Sequence, residues 1–483
     1  MIHKIIEIQN CGRFVNYKPS EKEYGWNGIF SNINTIYAEN GSGKTTFTQI
    51  LKSASDNDCE LMEKRKSLHS INPILVDLLL DGNVRVSYKS GKWKNNISGI
   101  EVFDSFFSED NMYVFSLGNY DNPSNFYDIV PNSKQLLHDI QKSIQQRKRI
   151  SNNIRLTNRS IKVETDNKQI SKLTNRLKYQ SEKKKNIDTI INKLKNELKS
   201  IVDSVCDEYI KHVNLYLKKF NPSLEITNTN QQGQKFVYYI KVNGQEARSD
   251  TSNVPLRHVL SEGDKSSVSL SFFLARIDML KDIDKRIIVF DDPISSFDTG
   301  RRMTTISILS KYASKAQQFF LLSHDIHFIK DFVDRNEACN NLKIVWRDGS
   351  SVFVKHNVKE ETMTGVSKDI CTLQNYLKMG ALNDSERRDV IRCLRPVLEG
   401  VFRLKYFSLV NDTEWLGDFL RRIRESPQST PLYRLNEIYD ELSDINDYCK
   451  QYHHSNPKYM EMPIFDEELR QFVQRTLDVL MYI

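Results

Sequence analysis

The sequence predicts an α/β head, split by an antiparallel coiled-coil hairpin and followed by an all-α C-terminal domain. Three observations carry this expectation. An apolar strand ending runs into a glycine-rich loop and then a helix at residues 36–47, IYAENGSGKTTF. A polar stretch from Ser133 to about Lys218 contains neither Pro nor Gly, the residues that interrupt helices. From about Val366 onward, apolar residues recur at helical spacing between Pro and Gly breaks.

A chain of 483 residues is long for one domain, so two or three units are expected. Hydrophobic residues make up 39% and charged residues 27%, which suits a globular core carrying at least one solvated element. The seven cysteines are scattered without a CxxC pair or Cys/His metal spacing, and read as reduced thiols. MIHKIIEIQN alternates like a strand and lacks the apolar core of a signal peptide. No apolar run approaches the ~20 residues of a membrane helix. The expectation is a soluble, cytoplasmic protein with no membrane partner.

In chain order, residues 1–132 read as the first half of the head, with short β-rich runs (KIIEI, TIYA, VRVSYK, GIEVF) around the glycine loop. The loop has the spacing A-x4-G-K-T from Ala38 to Thr45, with Ala where this pattern usually has its first Gly. Gly41 and Gly43 let backbone N–H groups turn around phosphate oxygens, and the following helix adds the positive end of its dipole. Asn40, Ser42 and Thr46 belong to the same cradle. Lys44 reaches the β- and γ-phosphates of ATP, and the Thr45 hydroxyl ligates Mg²⁺.

Residues 133–218 read as the hairpin. Ile187, Ile191, Leu194, Leu198 and Ile201 keep 4-3-4-3 spacing, as do Ile170, Leu173 and Leu177, which is a heptad seam on a polar helix. The pattern weakens at 155–167, where the tip is expected, leaving two arms of about 30 residues. Between Lys134 and Lys199 there are 18 Lys and Arg against 6 Asp and Glu, so the remainder of this +7 chain is net acidic. The segment is either a solvated helical pair or a phosphate-backbone contact for tRNA or DNA.

Residues 219–360 read as the second half of the head. LSEGDKSS (260–267) places Ser261 and Gly263 at the start of a strong helix, a second anion cradle or a plain helix cap. RIIVFDDP (286–293) ends a strand in two carboxylates. Asp291 is placed to hold Mg²⁺, and Asp292 to orient an attacking water. SSFD follows at 295–298, and a further apolar run ends at His324, either a γ-phosphate sensor or a structural histidine.

Residues 361–483 read as helices over 367–380, 385–408, 413–424, 430–454 and 465–481. With 16 basic and 19 acidic residues from 366 on, this region is no general polyanion sink. RCLRPVLEGVFRLKY sets Arg395 and Glu399 on one helical face, and INDYCKQYHHSNP carries His453 and His454. These groups could cleave RNA without metal, one deprotonating the 2′-hydroxyl, one protonating the leaving oxygen, with Arg stabilising the phosphorane. The same spacing also suits an intrahelical ion pair and a polar cap.

The order of P-loop, coiled coil, L-S-x-G, apolar strand with DD, S-x-x-D and strand-His resembles the ABC-type ATPase heads of the SMC class. That resemblance implies that Ser261 and Gly263 bind the γ-phosphate of ATP held by a second head, giving a homodimer or higher oligomer. No clear Q-loop glutamine stands in EVFDSFFSEDN (101–111), and Asp292 replaces the usual Glu, which implies slow hydrolysis. The whole chain is similar to the anticodon-nuclease ATPases PrrC and RloC, in which an R-x3-E pair and a His in an "IN…HS" segment form the proposed nuclease triad. Carried over, these are Arg395, Glu399 and His453 or His454, with a longer Asn-to-His interval than the family's. The architecture is also similar to PtuA, the ATPase subunit of Septu-type and some retron-linked antiphage systems, where a separate HNH nuclease subunit does the cutting. Three functions follow: an ATP-gated tRNA nuclease of phage defence, an ATPase sensor restraining a separate nuclease, or an SMC-like DNA-repair ATPase.

Overall fold

The computed structural model describes residues 1–68, 70–112, 115–116, 118–119, 122–123, 129–232, 235–248, 260–294, 299–411, 413–452 and 461–483. The chain divides into two compact units, Met1–His356 and Asn357–Ile483.

In the first unit, β1 (Ile2–Cys11) and β2 (Phe14–Tyr17) lead to β3 (Ile33–Ala38), the glycine loop and helix α1 (Lys44–Asp56). Strands β4 (Leu75–Leu80), β5 (Arg85–Lys89) and β6 (Lys92–Lys94) complete an antiparallel sheet of order β2-β1-β4-β5-β6. Next come β7 (Ile100–Phe103) and α2 (Ser105–Met112). The hairpin helices α3 (Ser133–Val163) and α4 (Asn167–Phe220) follow, and then the meander β8 (Leu224–Gln232), β9 (Lys235–Val242) and β10 (Gln245–Arg248). Helix α5 (Glu262–Met279), β11 (Ile287–Asp291), α6 (Thr299–Ala313), β12 (Gln318–Ser323), α7 (Ile326–Arg335), β13 (Cys339–Arg347) and β14 (Ser350–Lys355) close the unit.

The main sheet has the order β14-β13-β3-β12-β11-β7, parallel except for the β13–β14 pair. Strands from both sides of the hairpin therefore share one sheet, β3 and β7 from before it and β11 to β14 from after it. β11 and β12 are buried along their whole length, which explains their unbroken apolar runs. A core of Phe14, Phe30, Phe47, Phe320 and Phe353 lies between the two sheets and α1. Buried Gln318 ties the sheets together, accepting from the Ile2 N–H and donating to the Ile2 carbonyl, each at 2.8 Å.

The hairpin differs from expectation in its proportions. α3 has 31 residues, near the length expected of each arm, but α4 has 54, or roughly 80 Å at 1.5 Å per residue. The cause is a second apolar seam on α4. Val202, Val205, Tyr209, Val213, Tyr216 and Phe220 are buried, and the Tyr209 hydroxyl donates to the Phe272 carbonyl of α5 at 2.7 Å. The returning arm is thus also part of the head. The turn occupies Glu164–Asp166, inside the stretch where the heptads weaken. Ile187, Ile191 and Leu198 are buried as the seam requires, and Thr157 of α3 donates to Gln180 of α4 at 3.2 Å.

Among its described residues the second unit holds helices and no strand: α8 (Gly365–Met379), α9 (Asp384–Lys405), α10 (Leu416–Glu425), a 3₁₀ segment (Pro431–Ile438), α11 (Tyr439–Gln451) and α12 (Asp466–Tyr482). Leu394, Leu398, Phe402, Leu442, Ile445 and Leu469 form its core. Among the described residues no helix is long and apolar enough to cross a membrane.

Candidate functional site

The head site is assembled from three strand ends. β3 delivers the glycine loop. Gly43 caps α1 at φ +119, a backbone conformation that favours glycine, and a Cβ there would press on the Phe14 ring at 3.2 Å. Gly41, at φ +76, has the same backbone preference. The Ser42 hydroxyl donates to the Glu39 carbonyl at 2.6 Å, and the Ser42 carbonyl accepts from Ser351 of β14 at 2.6 Å. Asn40 is exposed in the loop, while Thr45 is half-buried and Thr46 buried on the first turn of α1.

Lys44 is buried. Its ammonium donates to the carbonyl of Ala38 at 2.6 Å and stands 3.4 Å from Asp292. Asp292 follows β11 at φ +50, a left-handed conformation that a residue preceding proline rarely takes. The strain is held by three contacts: the Asp292 N–H donates to Leu322 (2.9 Å), and its Oδ1 meets the His324 backbone N–H and Nδ1, each at 2.8 Å. Lys44, Asp292 and His324, read as separate motifs in the sequence, therefore form one chain of contacts.

Asp291 is buried beside them. Burial first, and then the charge of Asp292, push its carboxyl up to about 7, against opposing contributions from the Thr48 hydroxyl and Lys44. Its Oδ1 is buried without a hydrogen-bond partner among the described residues. An orphaned carboxylate oxygen beside a P-loop is what a divalent cation would satisfy, so the residues fit Mg²⁺, with Asp291 and Thr45 as the groups to hold it.

A cavity of about 290 Å³ adjoins Asp291 and Asp292, walled by Asp104, Ser108, Lys265 and Ser269. The Ser269 hydroxyl is also buried without a partner among the described residues. Asp104 was missed from the sequence. It caps the turn after β7 by accepting from the Phe107 N–H (2.7 Å), and it accepts from Gln49 of α1 (2.8 Å). A lone Asp after a strand has no distinguishing pattern; only the segment containing it, residues 101–111, could be singled out. Glu101, two residues into β7, is buried between Arg276 of α5 (2.9 Å) and Arg286 (2.6 Å), linking α5 to the sheet.

Ser261 caps α5 in a reciprocal box with Asp264. Its hydroxyl donates to Asp264 Oδ2 (2.7 Å) and accepts from the Asp264 N–H (3.2 Å). Asp264 is held in turn by Asn221 at the end of α4 (2.6 Å). Gly263 is buried in the first turn of α5. Neither residue walls the cavity at Asp291, although Glu262 between them does. The SSFD stretch at 295–298 lies outside the described residues.

A family model described as an AAA domain, AAA_13, matches residues 125–376, just over half of the chain. The chain belongs to this AAA family. The match spans the hairpin, the second half of the head and the first helix of the C-terminal unit; the P-loop precedes it. Membership of an AAA family implies ATP use, usually with Mg²⁺. No curated protein matches the chain. Similar solved structures include the Smc head domain of Pyrococcus furiosus with an extended coiled coil, bound to the C-terminal domain of ScpA. It shares 13% identity, covering 74% of this chain and 97% of that one at a TM-score of 0.45. Others are the Smc head with coiled coil and joint of Pyrococcus yayanosii (11%, 74% and 97%, 0.43) and RecF with ATP (14%, 74% and 99%, 0.41).

In the C-terminal unit of this AAA protein, Arg395 and Glu399 lie one turn apart on α9, 3.4 Å from each other. Glu399 is only 2% exposed, and its Oε1 also accepts from the Leu416 N–H at the start of α10 (2.9 Å). Arg395 Nε is buried without a partner among the described residues, as is Oδ1 of Asn446 on α11. His453 and His454 lie outside the described residues.

Proposed function

We propose that this chain is an ATP-driven switch of an antiphage defence system, in which the head binds and hydrolyses ATP and the C-terminal unit acts as a PrrC-like tRNA anticodon nuclease. The observation that carries the ATPase reading is the contact chain Lys44–Asp292–His324 beside the orphaned Asp291 oxygen. Lys44, now satisfied by a carbonyl of its own loop, is the cation that exchanges this contact for phosphate oxygens. That exchange releases Asp292 Oδ2, while His324 keeps Oδ1 fixed, so the free oxygen can accept from an in-line water. Bound Mg²⁺ supplies charge neutralisation and phosphate orientation; Thr45 and Asp291 are its holders. Ser261 and Gly263 serve the γ-phosphate of a second head, which makes ATP the bond between two copies. Asp in place of Glu retracts the carboxylate by one methylene, so hydrolysis is slow and the ATP-bound dimer persists.

For the output, Arg395 and Glu399 with His453 or His454 are the nuclease residues of the first reading. A second reading is favoured by the burial of Glu399 and its bond to Leu416: the chain is then a PtuA-like ATPase sensor and scaffold that regulates a separate HNH nuclease. Both readings allow tRNA or DNA to bind the basic hairpin, with an affinity that falls steeply as salt rises. The deciding experiment expresses the chain alone and sequences cellular tRNA ends. Cleavage lost in His453→Ala or His454→Ala supports the intrinsic nuclease. Intact tRNA and normal growth remove it in favour of a separate nuclease.

A further inference from the structure

The antiparallel sheet of the head has an outer face that carries none of the ATP-site residues. Its inner face is closed: Val76 and Leu78 of β4, Val86 and Tyr88 of β5 and Trp93 of β6 are buried in the core. Side chains alternate along a strand, so Leu75, Asp77, Arg85, Ser87, Lys89 and Lys94 stand on the opposite face. The registers set Glu7 of β1 beside Asp77, Asp77 beside Ser87, and Ser87 beside Lys94. One row across four strands thus runs from two carboxylates to an ammonium. At about 4.8 Å per strand, the backbones of Asp77 and Lys94 are roughly 10 Å apart.

A cavity of about 510 Å³ opens over this row, bounded by Glu7 and Leu75 on one side and by Arg85, Lys89 and Lys94 on the other. The two carboxylates are not equally satisfied. Glu7 pairs with Lys18 at 3.0 Å and accepts from Gln9 at 3.2 Å. Asp77 is only 8% exposed; its Oδ2 pairs with Arg85 at 3.1 Å, but its Oδ1 is buried without a hydrogen-bond partner among the described residues. Burial first holds this carboxyl above its ordinary value, with Arg85 opposing and Glu7 adding to the rise. A buried carboxylate oxygen without a donor is rare, and it calls for one. Lys89 and Lys94 are exposed and have no acidic partner among the described residues, so their charge calls for an anion. Leu75 and Val84 add apolar surface to the same walls. A structural ion pair accounts for Arg85 and Asp77 Oδ2, but not for the orphaned oxygen or the two uncompensated ammonium groups.

We propose that this cavity binds a small amino-acid-like zwitterion, whose ammonium donates to Asp77 Oδ1 and whose carboxylate is held by Lys94 and Lys89. The site shares no residue with the P-loop and does not depend on the reading of the head as an ATPase.

The test titrates the full chain by calorimetry with 6-aminohexanoate, which carries both charges across an apolar spacer, and with hexanoate and hexylamine, which carry one each. The zwitterion binds saturably, at one site per chain, about tenfold or more tighter than either single-charge compound, because each end adds a hydrogen bond to a charged group. Asp77→Asn weakens 6-aminohexanoate about tenfold and does not weaken hexanoate. Lys94→Ala weakens 6-aminohexanoate and hexanoate and leaves hexylamine unchanged. Lys94 is exposed, so this variant keeps the fold even if Asp77→Asn loses it. Absence of saturable 6-aminohexanoate binding, equal affinity for all three compounds, or native affinity in Lys94→Ala overturns the site and leaves Asp77 Oδ1 to water.

Discussion

The two charged clusters of this chain invite comparison because both were legible as short motifs and the fold treats them differently. In the head, Lys44, Asp291, Asp292 and His324 come from three strand ends, and they meet with a strained backbone at Asp292 and an orphaned oxygen on Asp291. In the C-terminal unit, Arg395 and Glu399 are helical neighbours, and Glu399 is committed to the start of the next helix. The first arrangement combines backbone strain with unmet bonding capacity, which are functional signatures; in the second, Glu399 satisfies a backbone donor, and only Arg395 Nε is left without a partner among the described residues. A motif of charged residues is therefore best judged by what its atoms still lack once the chain has folded.

The comparison can be broken or sharpened experimentally, starting with the largest effect. Lys44→Ala is expected to abolish measurable ATP binding in equilibrium dialysis; retained tight binding would contradict the head site. Glu399→Ala should lower stability by roughly 3–5 kcal/mol, the usual cost of leaving one partner of a buried pair, and should appear as a fall in melting temperature. Glu399→Gln keeps an acceptor for Leu416 and should recover much of that loss. If it instead melts like Glu399→Ala, the capping role is the wrong explanation. Should it fold normally yet lose tRNA cleavage, Glu399 belongs to a nuclease rather than to the scaffold. Asp292→Asn should leave ATP binding intact and slow single-turnover hydrolysis about 100-fold or more, trapping ATP-bound dimers on size exclusion. An unchanged rate would assign the base elsewhere. His324→Ala, which removes the ring but not the backbone donor to Asp292, should cost roughly tenfold in the same assay. Pairing Thr157→Val with Gln180→Leu should shift the melting midpoint least, because replacing both partners of a buried hydrogen bond is nearly neutral. A large loss there would make the hairpin's polar contact a determinant of its register.

Much of the architecture could be read from periodicity. The seam residues Ile187, Ile191 and Leu198 are buried, and Leu194 and Ile201 partly so, because a 4-3 spacing puts them on one helical stripe. Helices α9 and α12, Asp384–Lys405 and Asp466–Tyr482, lie close to where their patterns placed them. The length of α4 was not legible: its hairpin seam continues into the seam that packs on α5, with no Pro or Gly to mark where one becomes the other. In the site, the glycine loop and the strand-end carboxylates have spacings that chemistry dictates. Asp104 and Glu101 have none, since each acts through a partner far away in the chain.

The sequence by itself determined what is local: a loop only glycines can turn, strands that end in carboxylates, and polar helices with an apolar stripe. These follow from φ/ψ limits and from periods of 2 and 3.6 residues, which any short window contains. The tertiary structure alone decided that Asp292 would be bent back between Lys44 and His324, that Asp291 would be buried with a free oxygen, and that Glu399 would be spent on Leu416. Those outcomes depend on which strand ends become neighbours in the main sheet and which helix starts against α9. That adjacency is set by packing of the whole core, and no short stretch of sequence contains it.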